Sequence, residues 1–98
     1  AYALGDVLFT KRTEAFANRR YPDFGCSFET FTNGDMLEME FLGPLRRLTK
    51  GQTATLTEHW TLRKGVDFGG WTEADLDRVL GPALAERPAA KKAAGRKK

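Results

Sequence analysis

A mainly β fold is predicted by three features of this sequence: an antiparallel sheet or partial β-sandwich with one short C-terminal helix and a disordered basic tail. Apolar and polar residues alternate with period two over residues 6–12, 36–42 and 53–64. Asn33-Gly34 separates two β-prone runs, the pattern of an antiparallel hairpin. After Gly69-Gly70 the period lengthens to about three and a half, which is helical.

The first strand, residues 6–12, sets Val7, Phe9 and Lys11 on one face and Leu8, Thr10 and Arg12 on the other. Residues 13–24 read as a loop. Asn18, the paired Arg19-Arg20 and Tyr21-Pro22-Asp23 break any period, because proline fixes its own φ and restricts its predecessor. The hairpin follows, with strands at 25–32 and 36–42. Asn33 and Gly34 tolerate the positive φ of tight turns. In its second strand Leu37, Met39 and Phe41 share the face expected to be core, and Glu38 and Glu40 share the other.

Gly43-Pro44 ends that strand, and residues 45–52 form a polar connection with Arg46, Arg47 and Lys50-Gly51. The next strand, residues 53–64, places Ala54, Leu56, Glu58, Trp60 and Leu62 on one side. An ionised, unpaired Glu58 buried there would cost several kcal/mol, so it must reach a basic partner or sit at an opening in the sheet. Thr72 is the expected N-cap of a helix over residues 73–80, with Asp75 completing a capping-box variant and Trp71 and Leu76 at staple spacing. Gly81-Pro82 is expected to interrupt it, with at most one further turn over 83–86.

The chain has 98 residues, 41% hydrophobic and 30% charged, which suits one small domain over residues 1–86. The basic tail, residues 87–98, has no apolar stripe to bury and is expected to be disordered. It holds six basic residues and no acid, leaving ten basic and thirteen acidic residues before it. The pI near 9.3 is therefore a property of the tail. Nucleic-acid binding is accordingly expected only through this segment. With no run of ~20 apolar residues and no signal-peptide pattern, the chain is expected to be soluble and cytoplasmic, with no membrane partner. Cys26 is the single cysteine and His59 the single histidine, too few for a structural zinc site, and no metal or other cofactor is expected.

Glu38 and Glu40, two apart on one strand, stand about 7 Å apart by the strand rise of ~3.4 Å per residue, within the range of paired glycosidase carboxyls. They are the catalytic candidates; the plainer reading is a solvated face paired with cross-strand cations. His59 has the side chain whose unperturbed pKa lies near neutrality, although it diverges from Glu58 on the strand. Cys26 has no base nearby in sequence and reads as a small strand-start residue. The ligand-binding candidates are Glu29, Glu58, His59 and Trp60. Sugars present apolar faces as well as hydroxyls, so an aromatic ring beside carboxyl groups is the pattern to seek.

Taken in order, the series Tyr21-Pro22-Asp23-Phe24-Gly25-Cys26, Leu37-Glu38-Met39-Glu40, Leu42-Gly43-Pro44-Leu45 and Glu58-His59-Trp60-Thr61-Leu62 carries a family pattern. Over residues 8–62 it resembles the C-terminal part of galactose mutarotase-like (aldose epimerase-like) β-sandwich proteins. The resemblance implies a large antiparallel sandwich with a sugar cleft on its concave sheet and, in true mutarotases, a glutamate base with a histidine acid. The family's catalytic histidines come from a region preceding the matched segment, and His59 does not correspond to them.

A non-catalytic, carbohydrate-binding module is therefore the expected function. The alternatives are a small mutarotase-type epimerase using Glu38 or Glu40 as base, and an interaction protein whose tail engages nucleic acid. Three or four strands and one helix leave apolar faces uncovered in a chain this short, so homo-oligomerisation is expected to complete the missing layer.

Overall fold

The computed structural model describes residues 1–87. The expectation for the tail concerns residues 88–98 almost entirely and lies outside the described residues. In chain order the elements are β1 (Tyr2–Leu4), β2 (Val7–Arg12), a single turn α1 (Pro22–Gly25), β3 (Phe28–Thr32), β4 (Leu37–Phe41), β5 (His59–Arg63) and α2 (Glu73–Ala85). The strands form a three-stranded sheet in the order β1-β2-β5 and a two-stranded β3-β4 sheet, so the fold is mainly β. Two compact units result among the described residues: 1–11 with 59–87, and 12–58. No helix among the described residues is long and apolar enough to cross a membrane.

In the first unit β1 and β2 form a tight antiparallel hairpin that pairs Leu4 with Val7. Gly5, at φ +58, is the first of its two loop residues, the place where a type II′ turn requires positive φ. Leu8 and Thr10 are buried along β2, and Phe68 is the third buried residue of the described chain. Thr10 can be buried because its hydroxyl bonds that of Thr61 on β5. On the other face of β2, Phe9 meets Trp60 edge to face, ring centres 5.7 Å apart. Trp60 and Leu62 nevertheless stay 67% and 72% exposed, so the face that alternation assigns to a core is open.

Two expectations for this unit are corrected. The strand expected over residues 53–64 is a strand only from His59. Residues 53–58 join no ladder, and the Thr57 carbonyl accepts the Thr13 hydroxyl at 2.7 Å instead. The helix expected to stop at Leu80 runs through Gly81 and Pro82 to Ala85. Proline removes one N–H, but Glu86 N–H donates to the Pro82 carbonyl at 3.2 Å and Ala83 continues the half-buried stripe of Leu76, Val79 and Leu80. The start of α2 is as expected: Thr72 accepts from Asp75 N–H, and Asp75 accepts from Gly70 N–H, Thr72 N–H and the Thr72 hydroxyl. The Thr72 hydroxyl and backbone, with the Gly70 amide, hold the Asp75 carboxyl below its ordinary range.

In the second unit, residues 33–36 close the β3–β4 hairpin by a mechanism other than the one expected. Neither Asn33 nor Gly34 adopts positive φ. The Asn33 side-chain oxygen accepts instead from Asp35 N–H at 2.8 Å and Met36 N–H at 3.0 Å, an Asx-type closure. The segment read as a loop contains α1, where Asp23 (φ 51) and Phe24 (φ 62) are left-handed. Such a conformation costs on the order of 1–3 kcal/mol per non-glycine residue. Phe24 is wholly exposed.

Candidate functional site

The hairpin's pairing decides which side chains meet. Glu29 faces Glu40 and Phe31 faces Glu38, and directly opposed residues of an antiparallel pair project to the same side. Glu29, Phe31, Glu38 and Glu40 therefore share one face. Phe28, Thr30, Met39 and Phe41 share the other, where the Phe28 and Phe41 rings lie 5.3 Å apart.

Opposed like charges repel across a sheet, which disfavours ionising neighbouring carboxyls together. Glu38 and Glu40 are neighbours on one face of β4, and Glu29 stands opposite Glu40 across the pair. The Glu38 carboxyl is held above its ordinary range by the bond to Glu40, then by partial loss of hydration and the Glu40 charge. Glu29 is raised by the bond to Asp23, then by lost hydration and the charges of Asp23 and Glu40. The spacing estimate of about 7 Å describes the backbone, and the raised Glu38 carboxyl shows that its side chain feels Glu40 more closely than that.

These shifts predict opposite responses to acid in the two units. A raised folded-state pKa means the folded hairpin holds its proton more tightly than the unfolded chain. Its contribution is complete below the ordinary glutamate range and is lost as pH rises through the folded-state value. For Asp75 the sign reverses: its contribution is complete above the ordinary aspartate range and is lost as pH falls through its lowered value. Amide hydrogen exchange across the acid range, corrected for intrinsic rates, should show β3–β4 protection declining as pH rises and α2 protection declining as pH falls. Glu38→Gln should flatten the first trend and leave the second. Parallel trends in both elements would contradict the assignment.

The other sequence-predicted residues lie elsewhere. Glu58 is half-buried and has an interaction with a neighbour. His59 and Trp60 open β5, both exposed, with Lys11 Nζ 5.8 Å from the Trp60 ring centre. The structure therefore brings together Glu29, Glu38 and Glu40.

Two hollows of the 12–58 unit escaped the sequence reading. One, of about 320 Å³, is lined by Glu14, Phe16, Arg46 and the threonines 13, 55 and 57, among others. A wider one, of about 580 Å³, is lined by Arg19, Arg46, Arg47 and Gln52, with Leu45, Leu48, Gly51 and Thr53. None of Glu29, Glu38, Glu40, Glu58, His59 or Trp60 lines either. Their residues come from segments with no period, and the only available signal was the pair of Arg-Arg steps at 19–20 and 46–47.

No protein-family model, curated protein or solved structure matches the chain. Among the described residues no three His, Cys, Asp or Glu side chains gather as a metal site.

Proposed function

We propose that this chain is a mutarotase-like, carbohydrate-binding β module that self-associates, with the Glu29, Phe31, Glu38 and Glu40 face of β3–β4 as its ligand surface. The observation that carries the reading is an exposed aromatic ring beside three carboxyl groups on one strand face. A pyranose offers an apolar C–H face to the ring and hydroxyls that both donate and accept. The carboxyl groups bond the sugar hydroxyls. The sequence resemblance points to the same ligand class.

Self-association is supported by what the chain leaves uncovered. No residue of the 12–58 unit is buried, and fifteen large hydrophobic side chains of the described chain are exposed, among them Phe28, Phe31, Leu37 and Met36. A two-stranded hairpin with open faces is marginal alone. A second copy supplies the missing layer and closes the saccharide surface.

The test combines light scattering with titration of galactose and glucose, followed through hairpin amide shifts. The expected result is a species heavier than one chain, with sugar-dependent shifts confined to β3–β4. Glu38→Gln with Glu40→Gln should weaken binding about tenfold, the loss of one charged hydrogen bond, without changing the mass. A monodisperse, thermally stable monomer blind to both sugars would overturn the proposal. Polarimetry separates binding from catalysis: anomeric interconversion accelerated by the protein and lost in the double variant would move the chain to the epimerase reading.

A further inference from the structure

The charges of the 12–58 unit are sorted along its sequence. Five of its six basic residues fall at 19–20 and 46–50, and five of its seven acids fall at 23–40. A backbone bond, Leu45 N–H to the Arg20 carbonyl at 2.7 Å, fastens the two basic segments together. The turn after Arg47 is closed twice: Gln52 N–H donates to the Thr49 carbonyl at 3.0 Å, and Thr49 N–H donates to Gln52 Oε1 at 3.1 Å. Gly51, at φ +85, takes the left-handed position this turn needs. With its oxygen used inside the turn, the Gln52 amide nitrogen remains a donor.

Arg19, Arg46, Arg47 and Gln52 consequently line the same hollow of about 580 Å³, to which no acidic side chain contributes. Among the described residues none of the three arginines forms an ion pair with a carboxylate. Gathered like charges repel, and an anion seated between them converts that repulsion into attraction. The planar guanidinium fork matches the paired oxygens of a tetrahedral oxyanion. We propose that this hollow is a binding site for a tetrahedral oxyanion, phosphate or sulfate, free or as a monoester. The site uses no residue of the carboxyl-bearing hairpin face and stands independently of the saccharide reading. Being open to solvent, it is weak and salt-sensitive.

The test is an amide-shift titration of the full chain with inorganic phosphate, sulfate and glycerol 3-phosphate at low salt. The expected result is saturable movement of the amides of Arg47, Gly51 and Gln52, with affinity falling as sodium chloride is raised. Arg19→Gln with Arg47→Gln should weaken binding at least about tenfold while β3–β4 amide shifts stay in place, and Arg19→Lys with Arg47→Lys should retain part of it. Equal affinity for phosphate and its glycerol ester assigns the bare oxyanion as the ligand. Tighter binding of the ester extends the site to the carbon skeleton. Movement restricted to amides beyond Arg87, or binding unchanged in the double glutamine variant, overturns the proposal. So does an absence of saturable amide shifts with all three anions.

Discussion

Replacing Leu8 with Ala is expected to unfold the three-stranded sheet or bring it close to unfolding. Leu8 is 2% exposed and is the largest side chain to be fully buried; Thr10 and Phe68 are the other buried residues of the described chain. Truncating a buried leucine costs about 2–5 kcal/mol, made up of lost apolar transfer and the void left behind. Small domains have only about 5–15 kcal/mol of net stability, and each kcal/mol moves Tm by about 4–8 °C at this size. Urea and thermal unfolding of Leu8→Ala should therefore show Tm lower by about 10 °C or more. Leu8→Met, which keeps the volume, should cost less than about 1.5 kcal/mol. A loss below about 1 kcal/mol on truncation to Ala would mean that the sheet is held together elsewhere.

Gly69→Ala is expected to have the second largest effect, through backbone and contact together. Gly69 sits at φ +66, a region costing an L-residue about 1–2 kcal/mol. An added Cβ would stand 2.7 Å from Asp75 Oδ1, 3.1 Å from its Cγ and 3.2 Å from Arg78 Nη2. The Asp75 carboxylate cannot retreat freely, because it accepts from Gly70 N–H and from Thr72 at the helix start. Displacing it sacrifices the capping box, so the combined loss should be about 2–3 kcal/mol. Gly34→Ala is the control, with no positive φ and nothing within 4 Å of the new methyl. Loss of α2 helicity by circular dichroism in the first variant and not the second is the expected pattern; equal behaviour would remove the argument.

Elements whose side chains report a period were legible before any coordinates. β2, the β3–β4 hairpin and the start of α2 each have either an unbroken alternation or a capping residue at fixed spacing. β1 was not, since three residues are too few to show a period and its only signal was the Gly5-Asp6 turn beside it. Residues 53–58 alternate as a strand does, but alternation states only which sides the residues occupy and cannot supply a ladder partner. The Asn33 turn was legible as a turn and not as an Asx closure, because backbone angles and side-chain bonding compete for the same residue.

The candidate site divides in the same way. That Glu38 and Glu40 share a face follows from period two; that the Glu38 carboxyl is raised by its neighbour depends on side-chain rotamers, which sequence spacing does not report. Which strand residue opposes Glu40 required the register, and so Phe31 went unnoticed beside the acids. The arginine hollow depends on one backbone hydrogen bond between segments far apart in the chain. Each segment alone looked like solvated connection.

The place of residues 13–58 between two neighbouring strands bears on how the molecule comes together. β2 and β5 lie side by side in one sheet, yet that whole stretch separates them in the chain, and its two ends are clasped by Thr13 and Thr57 at 2.7 Å. The two hairpins close locally, on the order of microseconds, whereas joining β5 to β2 must first overcome the entropy of a long loop. Nucleation should thus begin at the hairpins, and the late strand reaches its sheet only once the ends of the inserted stretch have been brought together.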